Sequence, residues 1–232
     1  MPKTEKIYAV LTGDLVKSSR LSSEMSSRAM GLIKDGALKF AEIQPGSVIG
    51  KVDTFRFDGW QLLLGKPELA LHAALFLRSI LKMESNSLSK FDTRVSIGIG
   101  PVESIVEEKV SDSRGAAFTV SGKALDSVGN KKLEFSTSID FDHPWKSLEK
   151  GIVPLLDCVV SEWTPPESRA VYGALMGWTQ EEAAGKWPRL ESNDKQITRQ
   201  AVADSLTRAN WHTVETTLKW VNAEIHSALT PI

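Results

Sequence analysis

The feature that most constrains this chain is the order of its apolar runs. Residues 6–13 form a continuous apolar stretch, the pattern of a buried strand. Small hydroxyl residues, Ser18-Ser19 and Ser22-Ser23, then supply helix-start chemistry before an amphipathic stretch over 23–42, in which Met25, Ala29, Leu32, Ile33, Leu38 and Ala41 recur on one side. Pro45-Gly46 closes it, and two further strands are predicted at 47–55 and 58–64. Pro67-Glu68 opens a second helix, in which Leu69, Ala73, Phe76, Leu77, Ile80 and Leu81 recur at helical spacing. Thr93 to Gly100 alternates as a strand, 103–115 reads as a loop or ragged hairpin, a third helix falls near 120–130, and Leu133–Thr137 is a last strand. The succession β-α-β-β-α-β, then α-β, predicts an α+β fold with a ferredoxin-like antiparallel sheet.

Two aspartates mark the ends of these strands. Asp14 follows Gly13 at the end of the first run, and Asp58 sits in Phe55-Arg56-Phe57-Asp58-Gly59-Trp60-Gln61, where a tight hairpin falls. Two carboxylates from adjoining strands are hard oxygen ligands suited to Mg²⁺ carrying a nucleotide phosphate. Asp53 is a third acidic residue nearby and is expected to face solvent or Lys51.

The Gly13-Asp14 strand followed by the FDGWQ hairpin resembles the class III nucleotidyl cyclase catalytic domain, and still more its small bacterial relatives of the SatD type, over roughly residues 6–138. The resemblance implies a cyclase-palm-like fold, Asp14 and Asp58 as metal ligands, Mg²⁺ as cofactor, and Lys17, Ser18, Ser19 and Arg20 as a nucleotide phosphate cradle. It also exposes departures. Where the cyclases carry an asparagine and an arginine that orient the ribose and stabilise the transition state, this chain aligns Ser121 and Leu125, with Lys123 as a cation only in a shifted register. Thr54 stands where adenylyl cyclases place an adenine-contacting lysine. A phosphoryl-transfer site without its cation loses orders of magnitude in rate, so cyclase turnover is not expected.

Beyond a segment read as a linker at 141–151, the pattern turns helical, and five of the seven tryptophans fall there. Helices are predicted near 152–163, 166–176, 179–186, 197–209 and 212–228, which divides the chain into a sheet domain at 1–140 and a helical domain at 152–232. Thr179 with Glu182 three residues later forms a capping box. The pairing of Thr179-Gln180-Glu181-Glu182-Ala183-Ala184 with the helix of Ile197 to Ala209 resembles the helix-turn-helix of sigma-factor-like and winged bacterial regulators, with an elongated turn at 187–195. That resemblance implies DNA reading by Thr198, Arg199 and Gln200, with Lys195 and Arg208 on phosphates. Seven Lys and Arg against ten Asp and Glu in 151–232 argue for modest DNA affinity and a homodimer.

A formal net charge of −1 gives no global attraction to nucleic acid or to an anionic membrane, so any basic surface is local. No stretch has the apolar length of a membrane span, the start lacks a signal-peptide core, and Cys158 is the only cysteine, which together fit a reducing cytoplasm. The four histidines show no zinc spacing. The expectation is a cytoplasmic DNA-binding regulator whose sheet domain senses a nucleotide or dimerises. The alternatives are a Mg²⁺-dependent nucleotidyl cyclase or transferase using Asp14 and Asp58, and a module that binds only protein partners.

Overall fold

The computed structural model describes residues 6–86, 89–139, 144–188 and 196–230. Strand β1 (Ile7–Leu15) leads into helix α1 (Ser23–Ile43), then β2 (Val48–Phe55), β3 (Gly59–Leu64), α2 (Ala70–Met83) and β4 (Thr93–Ser104). The sheet order β2-β3-β1-β4, all antiparallel, is the ferredoxin-like arrangement that the succession of elements predicts. The Ser22 side chain caps α1 by accepting from the Met25 amide, which ends the orphaned first turn as the serine cluster anticipates.

The far side of β4 departs from a purely antiparallel sheet. The polar stretch after Gly100 does not leave the sheet at once: β4 runs on to Ser104, and a two-residue strand β5 (Arg114–Gly115) returns along it. Helix α3 (Ala116–Ser127) starts ahead of the predicted position, directly from Gly115, whose φ of 152° makes the sharp change of direction. Strand β6 (Leu133–Thr137) then pairs parallel to β4, because the α3 crossover returns the chain to the same end of the sheet. The sheet is therefore mixed.

Alternation along the strands sends the two faces to different cores. Ala9, Leu11, Leu62, Leu64, Val95, Ile97 and Ile99 pack with α1 and α2, while Val10 and Leu63 pack with Val110 and Ala117 beneath α3. Gly98 lets α3 approach the sheet this closely. A Cβ there would lie 2.4 Å from the Ala117 carbonyl oxygen and 2.6 Å from the Ser121 nitrogen.

The segment read as a linker is helical from Trp145. A short turn, α4 (Trp145–Ser147), continues through a wider π-turn at Leu148–Ile152 into α5 (Val153–Glu162), with Trp145 and Leu148 buried. Trp145 stacks on Phe135 at a centroid distance of 6.2 Å, so apolar burial holds this stretch against the sheet. Four helices follow: α6 (Pro165–Leu175), α7 (Gln180–Gly185), α8 (Arg199–Arg208) and α9 (Trp211–Leu229). A run of ring contacts, Phe40–Phe76 at 5.6 Å, Phe76–Tyr172 at 5.4 Å and Tyr172–Trp178 at 5.5 Å, carries one hydrophobic cluster from α1 through α2 into α6. None of the helices among the described residues is long and apolar enough to cross a membrane.

Candidate functional site

Asp14 and Asp58 meet at one end of the sheet. Asp14 lies opposite Gly59 in the β1–β3 register, and the Leu15 amide donates to the Asp58 carbonyl at 3.1 Å, which ties the two chain segments at this point. The motif residues around them serve the backbone. The fully buried Trp60 donates from Nε1 to the Thr93 hydroxyl at 2.9 Å, and that hydroxyl donates to the Asp14 carbonyl at 2.7 Å. Gly13 is required by the same packing, since a Cβ there would fall 2.5 Å from the Trp60 indole. The hairpin tip is strained. Arg56 and Phe57 both take left-handed φ values of 51° and 65°, and Phe57 is 100% exposed.

Arg94 is the residue that the sequence pattern did not single out. It stands directly across from Asp14 in the β1–β4 register and donates from Nε to Asp14 Oδ1 at 2.7 Å and from Nη2 to Oδ2. The hydrogen bond to Asp14 is the first cause that raises the Arg94 pKa, ahead of an opposing burial penalty and of the attraction of Asp14 and Asp58. Both carboxylates thus act on one guanidinium. The signal lay in the alternation itself, which puts Arg94, Ser96 and Gly98 on the β4 face that looks toward Asp14 and Thr12.

That face is polar near the site and apolar further along. Gln61 donates to the Thr12 hydroxyl at 3.2 Å, Thr12 and Ser121 share a hydrogen bond of 2.8 Å, and Ser96 donates to the Ser121 carbonyl. Ser121 is fully buried in this network, so the position aligned with the cyclase asparagine points into the protein. Lys123 is exposed on α3.

The four residues expected to cradle a phosphate lie just after β1. Lys17 has a left-handed φ of 55° and Ser18–Arg20 make a single 3₁₀ turn, with Lys17, Ser19 and Arg20 exposed. Ser18 donates to Asp58 Oδ2 at 2.5 Å. Asp53 faces neither solvent alone nor Lys51: it accepts from the Ser111 hydroxyl and, at 3.1 Å, from the Ser111 amide, pinning β2 to the 110–112 turn. Burial alone would raise its pKa, but the Ser111 hydrogen bonds outweigh it and leave the carboxyl below its usual range.

A divalent ion needs several free oxygens in near-octahedral array. Here both Asp14 oxygens are taken by Arg94, a positive charge that the Asp58 carboxylate also attracts, and one Asp58 oxygen is taken by Ser18. The residues present do not fit a bound Mg²⁺ in this arrangement. Among the described residues, no group of three or more His, Cys, Asp or Glu side chains is placed to hold a metal.

In the helical half, α6, α7 and α8 close around Ala170, Ala183, Ala184 and Val202, with Trp178, Trp187 and Ile197 at the margin. The Thr179–Glu182 capping box forms: Glu182 Oε2 accepts from the Thr179 amide at 2.8 Å, and Thr179 Oγ1 accepts from the Glu182 amide at 3.2 Å. Gln196 donates to the carbonyls of Ala184 and Gly185, at 3.2 and 3.1 Å, fastening the start of the α8 segment to the end of α7. Thr198 caps α8 rather than lying within it, accepting from the Ala201 amide at 3.2 Å. Arg199 and Gln200 follow on the exposed first turn, with Gln200 donating to Asp204 at 2.8 Å. Arg208 turns back to α6, 3.4 Å from Glu167, and to Ser205 at 3.1 Å. Lys195 lies outside the described residues.

No protein-family model matches this chain, and no curated protein matches it. Among solved structures, the chain is similar to the crystal structure of the guanylyl cyclase Cya2, with a TM-score of 0.43 and 18% identity, over 59% of this chain and 77% of that one.

Proposed function

We propose that this chain is a DNA-binding regulator in which a non-catalytic, cyclase-palm-like sheet domain carries a helix-turn-helix unit built from α7 and α8. The observation that carries the reading is the exposed first turn of α8, where Arg199 and Gln200 follow the Thr198 cap on a helix braced by α6 and α7. A recognition helix reads bases with its N-terminal turn, and Arg and Gln are side chains suited to guanine and adenine edges. With ten acidic against seven basic residues in 151–232, one copy has little phosphate affinity, and two copies on a repeated half-site would supply the rest. Selection of random duplexes on the full chain at low salt tests the reading. Enrichment of a sequence supports it, and retention of no duplex ends it.

Asp14 and Asp58 are the feature that favours a Mg²⁺-dependent cyclase or transferase instead. Three observations weigh against that alternative: Arg94 occupies Asp14, Ser121 is buried, and Leu125 stands where the cyclases carry arginine. Incubation with ATP or GTP and Mg²⁺ or Mn²⁺, followed by chromatography, is expected to yield no cyclic nucleotide. Clear product would restore the enzymatic reading.

A further inference from the structure

We propose that Arg94 is the resident cation of the strand end that carries Asp14 and Asp58, a fixed guanidinium in the place of a divalent metal, so that any ligand bound there is held without one. Asp14 and Arg94 are directly opposed on neighbouring antiparallel strands, the placement at which opposite charges stabilise a sheet. Both backbones are held there. Thr93, the neighbour of Arg94, hydrogen-bonds the Asp14 carbonyl and accepts from the buried Trp60, so the pairing does not depend on a flexible loop.

Geometry and charge follow from that placement. The guanidinium meets Asp14 through two N–H groups, the bidentate fork that arginine forms with a carboxylate and lysine cannot. The Asp14 side chain is only 19% exposed and that of Arg94 37%, so the pair is partly shielded from water and its attraction is stronger than at an open surface. Asp58 adds a second negative charge to the same guanidinium while its Oδ2 accepts from Ser18. A divalent ion entering here would have to displace a bidentate partner and then lie beside its positive charge. Nη1 of Arg94 makes no bond to Asp14, and Lys17 and Arg20 are exposed on the turn that follows β1.

Binding of Mn²⁺ to the full chain, followed by the loss of its free-ion paramagnetic resonance signal, tests the proposal. The wild-type chain is expected to bind no Mn²⁺ at millimolar concentration. Arg94→Gln, which removes the charge and keeps hydrogen-bonding capacity, should gain one site with affinity raised by on the order of tenfold or more. Asp58→Asn added to it should remove that site, and Arg94→Lys, which keeps a cation, should exclude the ion as the wild type does. Saturable Mn²⁺ binding by the wild type that is lost in Asp14→Asn overturns the proposal, and so does an Arg94→Gln chain that is folded by circular dichroism and gains no site. If Arg94→Gln fails to fold, the wild-type and Arg94→Lys titrations decide, because Mn²⁺ binding in either one that is lost on adding Asp14→Asn is incompatible with a resident cation. None of these outcomes bears on α8, so the DNA-binding reading stands or falls separately.

Discussion

Arg78 of α2 and Asp157 of α5 meet at 2.9 Å in an ion pair in which the arginine side chain is wholly buried. Arg78 also holds Asp92 at 3.1 Å and donates to Ser161, and Asp157 accepts from the Lys132 amide at 2.9 Å. One guanidinium therefore joins α2, the segment before β4 and the helical half. Buried charges cost several kcal/mol each to desolvate, so removing one partner is worse than never having built the pair. Arg78→Met is expected to lower the unfolding free energy by about 3–5 kcal/mol in urea denaturation, leaving Asp157 and Asp92 without this guanidinium and Asp92 with only the more distant Lys82 and Lys132. A loss below about 1 kcal/mol would show that the network contributes little.

The same network sets an acid limit. Burial pushes the Asp92 carboxyl upward, but Arg78 first, and then Lys82 and Lys132, hold it below its usual range. A carboxylate whose folded pKa is depressed contributes stability that is present above the unfolded value, about 3.9, and is lost as pH falls through the folded one. Asp92→Asn should therefore be less stable than wild type at neutral pH, with the difference shrinking at acid pH below about 4. Thermal unfolding across that range measures it.

His72 titrates in a higher window. It lies at the start of α2, its ring 5.7 Å from Phe40, and its Nε2 is buried without a hydrogen-bond partner among the described residues. Burial lowers its pKa, so the folded protein holds it neutral while the unfolded chain takes up a proton near pH 6.5. The unfolded state then binds more protons, and stability falls as pH drops through about 6.5, levelling off below the folded pKa. His72→Phe should flatten the stability curve between about pH 7 and 5, whereas an unchanged slope would place the titration elsewhere.

Gly13→Ala tests the support of the strand end that carries Asp14. The new methyl group would sit 2.5 Å from the Trp60 ring and 2.6 Å from the Arg94 carbonyl oxygen, and the second contact is backbone that cannot swing away. Overpacking of this kind costs about 1–3 kcal/mol. The expected readout is a lowered melting temperature. Trp60→Phe, which removes the indole donor to Thr93 and leaves a cavity where the larger ring was buried, should lower it as well.

Much of this arrangement was legible in the sequence because periodicity and punctuation act locally. The serine caps before α1, Pro67 ahead of α2, and the Thr179–Glu182 box each placed a helix end to within a few residues. Gly13-Asp14 and Asp58-Gly59 placed the two carboxylates at adjoining strand ends for the same reason. What remained hidden was set across the sheet. Arg94 is unremarkable along the chain and acquires its partner only from the β1–β4 register. Ser111 claims Asp53 from 58 residues away, and the parallel return of β6 depends on where the α3 crossover lands. Trp145 turns an expected linker helical because Phe135 offers a surface to stack on.

In α8, residues proposed to read DNA sequence differ from those that brace the fold. Arg199 lies on the exposed first turn; on the proposed DNA-binding reading it would make a bidentate contact to guanine, so Arg199→Ala should cost about 1–3 kcal/mol at a selected site and relax base preference there. Gln200 is partly committed, since it donates to Asp204 one turn along; Asp204→Ala should release it and tighten binding by removing a like charge to phosphate. Arg208 differs again. Its contacts to Glu167 and Ser205 turn it toward α6, where Glu167 accepts from the Thr164 amide at the start of that helix. Arg208→Ala should therefore change DNA affinity and its salt dependence little, and should lower stability by no more than about 1 kcal/mol, as for an exposed ion pair. Fluorescence anisotropy on one selected duplex across a salt series distinguishes these variants. Equal losses for Arg199→Ala and Arg208→Ala, with the same salt slope, would mean that α8 does not read bases through its first turn.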